Sequence, residues 1–161
     1  MRWLNGLLGW VREEARGKDV FLVVVAAVAL GWFWTFGALV LIHLFDAGAL
    51  IVQGNMLTPN IYSPAILLGS AFFEELLFRL PLAIFVRMGW SLEKVFVVAV
   101  VLSLLFGFLH GGISHIFLQG VSGFIFSVVF LKCGGWQRNY AKALIASTVT
   151  HFMFNAVLIW L

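Results

Sequence analysis

Glu74, His110, His151 and Asn155 can move protons or donate hydrogen bonds, and each sits inside an apolar run of this 161-residue sequence. An ionisable group at the centre of a bilayer costs roughly 2.5–3.5 kcal/mol on insertion scales, so polar residues in such runs face a bundle interior or a water-filled cavity. Glu74 belongs to a cluster with Glu75 and Arg79. Glu75 and Arg79 lie at i and i+4, share one helix face and can pair within the helix. Glu74 is offset from Arg79 by roughly 140° around the axis, at about 100° per residue, which leaves it as the spare carboxylate. A carboxylate so placed can act as a general base. The plainer alternative is a buried ion pair beside a protonated glutamic acid that bonds a neighbouring helix. His110 closes the sequence Phe106-Gly-Phe-Leu-His110 near the end of a run, where a lone histidine is commonly an interfacial residue. The same plain interpretation holds for His43 and His115. His151 and Asn155 continue a small, polar stripe begun by Ala143 and Ser147. Alone, that stripe could be an interhelical hydrogen-bond patch worth about 0.6–2 kcal/mol. Together, Glu74, His110, His151 and Asn155 come from different runs that can face one interior. They supply a base, a second proton carrier and a pair of hydrogen-bond donors, the set needed to add water to a carbonyl carbon.

The elements that must carry these residues are helices in lipid. Hydrophobic residues make up 63% of the chain and charged residues 11%, against about 45–50% and 25% in a soluble domain. A soluble globule of this length could not hide that much apolar surface, and a disordered chain needs the opposite composition. The single cysteine, Cys133, excludes an internal disulfide and a multi-thiolate zinc site. It lies by an inner membrane interface, where position alone makes it a candidate for acylation. Runs approaching the ~20 residues needed to cross a bilayer extend over Val20–Phe45, Pro64–Val86, Val95–Gly112, His115–Leu131 and Ala143–Leu161. The expected fold class is all-α: a compact bundle of about five transmembrane helices, in a single transmembrane domain over 20–161.

Charge placement sets the expected orientation. Arg2, Arg12, Arg16 and Lys18 precede the first run, Arg87 and Lys94 follow the second, and Lys132, Arg138 and Lys142 separate the last two. The stretches Asp46–Ser63 and Gly111–Ser114 have no Lys or Arg. This alternation follows the positive-inside rule with the N-terminus cytoplasmic and the C-terminus outside. The small net charge of +3 sits at the ends of the runs and reads as topology rather than nucleic-acid binding. Within residues 1–19, Trp3, Leu4, Leu7, Leu8 and Val11 form a helix stripe ahead of a charged segment, the pattern of an amphipathic helix on the inner leaflet. Small residues recur at helical spacing at Ser103, Gly107 and Gly111, at Gly123 and Ser127, and at Ala65 and Gly69, as expected where transmembrane helices pack closely.

Glu74-Glu75-x-x-x-Arg79, Phe106-x-x-x-His110 and His151-x-x-x-Asn155 resemble, in order, the motifs of the CAAX prenyl protease and bacteriocin-processing (CPBP) family. That family includes the type II CAAX prenyl endopeptidases. The resemblance covers 64–161 and implies an intramembrane protease core there. It implies that Glu74, with His110, activates a water molecule, that His151 and Asn155 stabilise the oxyanion, and that Glu75, Arg79 and Phe106 support them. No cofactor is then required. The family was long regarded as one of metalloproteases, and in a zinc-dependent version Glu74, His110 and His151 would be the ligands. No H-E-x-x-H run is present to favour zinc.

A single full run precedes the motif region, which makes a short bacterial or archaeal member the better analogy and the prokaryotic cell membrane the expected location. The expected partner is a membrane-associated protein or peptide substrate, lipid-modified or carrying a C-terminal sorting signal, within the lipid bilayer. His110 falls roughly 22 Å from the inner end of its run at 1.5 Å per residue, so an exported substrate suits the sequence as well as a cytosolic one. The alternative outside enzymology is a non-catalytic membrane partner protein, or a small proton-coupled transporter, using the same buried polar cluster.

Overall fold

The structure is a computed structural model that describes residues 2–44 and 63–160. Among them every regular element is helical: α1 (Arg2–Arg12), α2 (Lys18–Leu44), α3 (Pro64–Arg87), α4 (Leu92–Gly111), α5 (Ile113–His115), α6 (Val121–Phe130) and α7 (Tyr140–Trp160). π-helical turns over Ile116–Gly120 and Leu131–Gly135 flank α6. The side chain of His43, together with Phe45, Leu161 and the connection 46–62, lies outside the described residues.

Among the described residues, three stretches are long and apolar enough to cross a membrane: Lys18–Leu41, Leu92–Gly111 and Ile113–Gly135. By length and apolarity they suit an integral membrane protein. The last of them extends beyond the expected His115–Leu131, starting with α5 at Ile113 and running through the kink at Cys133 and Gly134 to Gly135. α3 and α7, at 24 and 21 residues, have spanning length but carry the ionisable and polar residues of the site. α3 begins cleanly. Ser63 is its N-cap, accepting a hydrogen bond from the Ile66 amide at 3.3 Å, and Pro64 follows in the first turn, where a missing N–H costs nothing.

Packing in lipid relies on close fit more than on expulsion of water. Leu8 and Val11 of α1 join Leu82 and Val86 of α3 and Leu92, Val95 and Ala99 of α4 in one buried cluster. Val24 and Ala27 of α2 join Ile125, Phe126 and Val129 of α6 and Phe154 of α7 in another. The Ser103, Gly107 and Gly111 line performs the expected close approach. A Cβ at Gly107 would stand 2.6–2.7 Å from backbone atoms of His115, Ile116 and Gly120. The Ala65 and Gly69 pair does not: Ala65 is exposed, and among the described residues nothing lies within 4 Å of a Cβ at Gly69.

The N-terminal segment is clamped to the bundle by cations that the sequence marks only as topology signals. Lys132 is buried, with 6% exposure, and its ammonium donates to the carbonyls of Trp10 and Glu13 while lying 4.6 Å from the Trp10 ring centroid. Lys142 donates to Glu14 Oε1 at 2.8 Å and to the Ala15 carbonyl. The hydrogen bond from Lys142 holds the Glu14 carboxyl below its ordinary value of 4.5. Cys133 is fully buried, so its thiol is not presented for acylation. Helical geometry breaks at Cys133 and Gly134, where φ reaches 131° in a region only glycine adopts readily.

Candidate active site

α3 delivers a pair of adjacent carboxylates to different surroundings. Glu75 and Arg79 are almost fully buried and form a two-pronged ion pair, Nε to Oε2 at 2.7 Å and Nη2 to Oε1 at 3.0 Å. Charges taken out of water are tolerated when the remaining donors are also met. Here Arg79 Nη1 donates to Ser127 Oγ at 2.6 Å and Nη2 to the Gly123 carbonyl at 3.1 Å. Sequence reasoning missed these contacts. The small pair Gly123 and Ser127 was visible, but it also signals packing, and packing was the only use inferred. Gly123 serves both ends, since a Cβ there would meet the Phe106 ring at 2.9 Å.

α7 brings His151 to the same carboxylate. His151 is buried, its Nδ1 lies 3.2 Å from Glu75 Oε1, and its ring stacks on Phe126 with centroids 4.7 Å apart. Phe106 presents an edge from the side at 5.8 Å. Arg79, Glu75 and His151 thus form one continuous chain of charge-assisted contacts between α6, α3 and α7.

Glu74 makes no ion pair with Arg79 among the described residues. Its side chain is 34% exposed, yet Oε2 is itself buried and has no hydrogen-bond partner among the described residues. That oxygen lies 3.4 Å from His110 Nε2 and 3.7 Å from His151 Nε2, beyond the ~2.7–3.2 Å of a formed N–H···O bond. His110, on the last turn of α4, is 32% exposed; its Nδ1 is 2.7 Å from the Phe106 carbonyl and its ring lies 4.2 Å from the Phe106 ring. The backbone contact fixes the imidazole so that Nε2 faces Glu74.

The structure therefore gathers Glu74, Glu75, Arg79, Phe106, His110 and His151. Asn155 lies one turn beyond His151 on α7, half-buried and without a hydrogen bond to the others among the described residues. His115 stands apart, with its ring against Gly111 and its Nδ1 buried and unpartnered. Among the described residues no group of His, Cys, Asp and Glu is arranged to hold a metal ion.

Residues 55–157 match the family model described as type II CAAX prenyl endopeptidase Rce1-like. The chain belongs to this family. The match contains every residue of the cluster together with Gly123 and Ser127, and also Asn155 one turn beyond it, so the Rce1-like region and the convergent polar site coincide. No curated protein and no solved structure matches the chain.

Proposed function

We propose that this Rce1-like protein is a glutamate-dependent intramembrane endopeptidase acting on a membrane-associated, lipid-modified or sorting-signal-bearing substrate. One observation carries the proposal: Glu74 Oε2 is buried and unpartnered between the Nε2 atoms of His110 and His151. Water held by Glu74 and His110 gives a proton to the carboxylate as its oxygen bonds to the scissile carbonyl carbon. The carbonyl electron pair moves onto oxygen, and that oxyanion accepts hydrogen bonds from His151 Nε2–H and the Asn155 amide. The pair returns, the C–N bond breaks, and the proton taken from water passes to the leaving nitrogen. His151 Nδ1 faces Glu75 Oε1, which leaves Nε2 as the ring atom turned toward the oxyanion. Glu75, Arg79 and Phe106 hold the frame without touching substrate.

α3 and α7 complete a five-span bundle in this proposal, with the N-terminus cytoplasmic and α1 on the inner leaflet. The apolar residues these helices turn outward support it: Phe73 and Leu77 on α3 and Ile145 on α7 are all more than half exposed. The test is cleavage, by protein purified into lipid, of peptides bearing a prenylated or an unmodified C-terminal cysteine. Wild-type cleavage that disappears in a folded Glu74→Gln variant is expected; equal turnover by the variant overturns the assignment.

A further inference from the structure

α6 presents different residues on its opposite faces. One gives Ser127, the Gly123 carbonyl and Phe126 to Arg79 and His151. The other, through Val121, Phe124 and Val128, lines a cavity of about 860 Å³ whose opposite wall is α2 from Asp19 to Trp34. Ala26 and Ala27 leave the room between the walls. At 1.5 Å per residue that wall is roughly 22 Å long, more than the ~15 Å half-thickness of a bilayer's hydrocarbon. Trp34 ties the far end to the bundle by donating from Nε1 to the Phe117 carbonyl at 2.6 Å. The near end is charged, with Glu13, Glu14, Asp19 and Lys132 around it. Lys132 is committed to backbone carbonyls, and Glu14 to Lys142 and, at 3.8 Å, to Arg16 Nε. Glu13 and Asp19 have no ion-pair partner among the described residues and are exposed. Arg16 and Lys18, also exposed, lie between them in the chain.

We propose that this cavity binds a glycerophospholipid with a primary ammonium headgroup, of the phosphatidylethanolamine type. Its acyl chain lies between α2 and α6, its ammonium meets Glu13 and Asp19, and its phosphate meets Lys18, exposed beside the cavity next to Asp19. Charge complementarity selects the occupant: an apolar slot that ends in unpaired carboxylates beside cations suits a lipid carrying both an ammonium and a phosphate. The bound chain braces α6 from behind the face that holds Arg79. The site stands whether or not the protein is a protease.

The test is native mass spectrometry of the full chain released from micelles containing equimolar phosphatidylethanolamine and phosphatidylglycerol. Retention of phosphatidylethanolamine with a roughly tenfold preference is expected, the size that a pair of exposed ammonium–carboxylate contacts supplies together. Glu13→Gln with Asp19→Asn keeps the bound lipid and loses the preference. Ala26→Trp fills the slot and loses both lipids, and Ala26→Leu serves the same purpose if the tryptophan variant does not fold. Equal retention of the two lipids by wild type, a preference unchanged in the carboxamide variant, or undiminished retention by a folded slot-filling variant overturns the proposal.

Discussion

Glu75 and Arg79 carry opposite charges at a depth where neither reaches solvent, so each depends on the other more than on the fold. Arg79→Ala strands Glu75 as a buried, uncompensated carboxylate beside His151. A loss of about 3–5 kcal/mol is expected, read as a lowered thermal midpoint in detergent. Asn155 has no such structural duty, being half-buried and unpaired among the described residues. Asn155→Ala should leave that midpoint unchanged and lower kcat by about 10²–10³-fold, the usual cost of one oxyanion donor; an undiminished kcat would remove Asn155 from the proposed site. The division between Glu74 and Glu75 was legible in the sequence because their angular offset follows from helix geometry alone. The partners of Arg79 were not. Ser127 is distant in sequence, and its hydroxyl is found only once α6 is docked beside α3.

Helix packing shows the same boundary between local and tertiary information. Gly107 was readable as a close-approach position because it sits in a line with Ser103 and Gly111, and its missing side chain is needed against the backbone of the Ile116–Gly120 turn. Gly107→Ala should destabilise the bundle by about 1–3 kcal/mol, as forced overpacking does, measured by the same thermal shift. Ala65 and Gly69 share the spacing without the neighbour, since spacing cannot say what lies opposite. The clamp on the N-terminal segment was likewise hidden. Lys132 and Lys142 looked like orientation signals, and only the fold brings them to Trp10, Glu13 and Glu14. Because Lys142 lowers the Glu14 carboxyl below 4.5, the stabilisation from that pair is fully present above pH 4.5 and is lost as pH falls through the lowered value. Protection of the amides over residues 13–16, taken relative to their intrinsic exchange rate at each pH, should fall in that acidic window in wild type. Lys142→Ala should exchange faster at neutral pH and lose the acid-dependent step; a step retained in the variant would assign it to another group.

Across the whole molecule, composition was enough to place the chain in lipid and make it helical, since each backbone group in a membrane must be satisfied within the protein. The count of apolar spans was less legible. The three charges that make α3 chemically useful, Glu74, Glu75 and Arg79, also lower its apolarity; among the described residues Lys18–Leu41, Leu92–Gly111 and Ile113–Gly135 are the stretches apolar enough to span on their own. The same ordered motifs lie within the Rce1-like match over 55–157. In the proposed mechanism the water used is the one held by Glu74, whose Oε2 is buried between the imidazoles of His110 and His151. The most direct test is to compare peptide termini across the proteome of the native host carrying wild-type protein or Glu74→Gln at equal expression. New termini on membrane-associated proteins, present with wild type and absent with the variant, are expected. Identical termini in the two strains, with the variant folded and candidate substrates expressed, would contradict glutamate-dependent proteolysis.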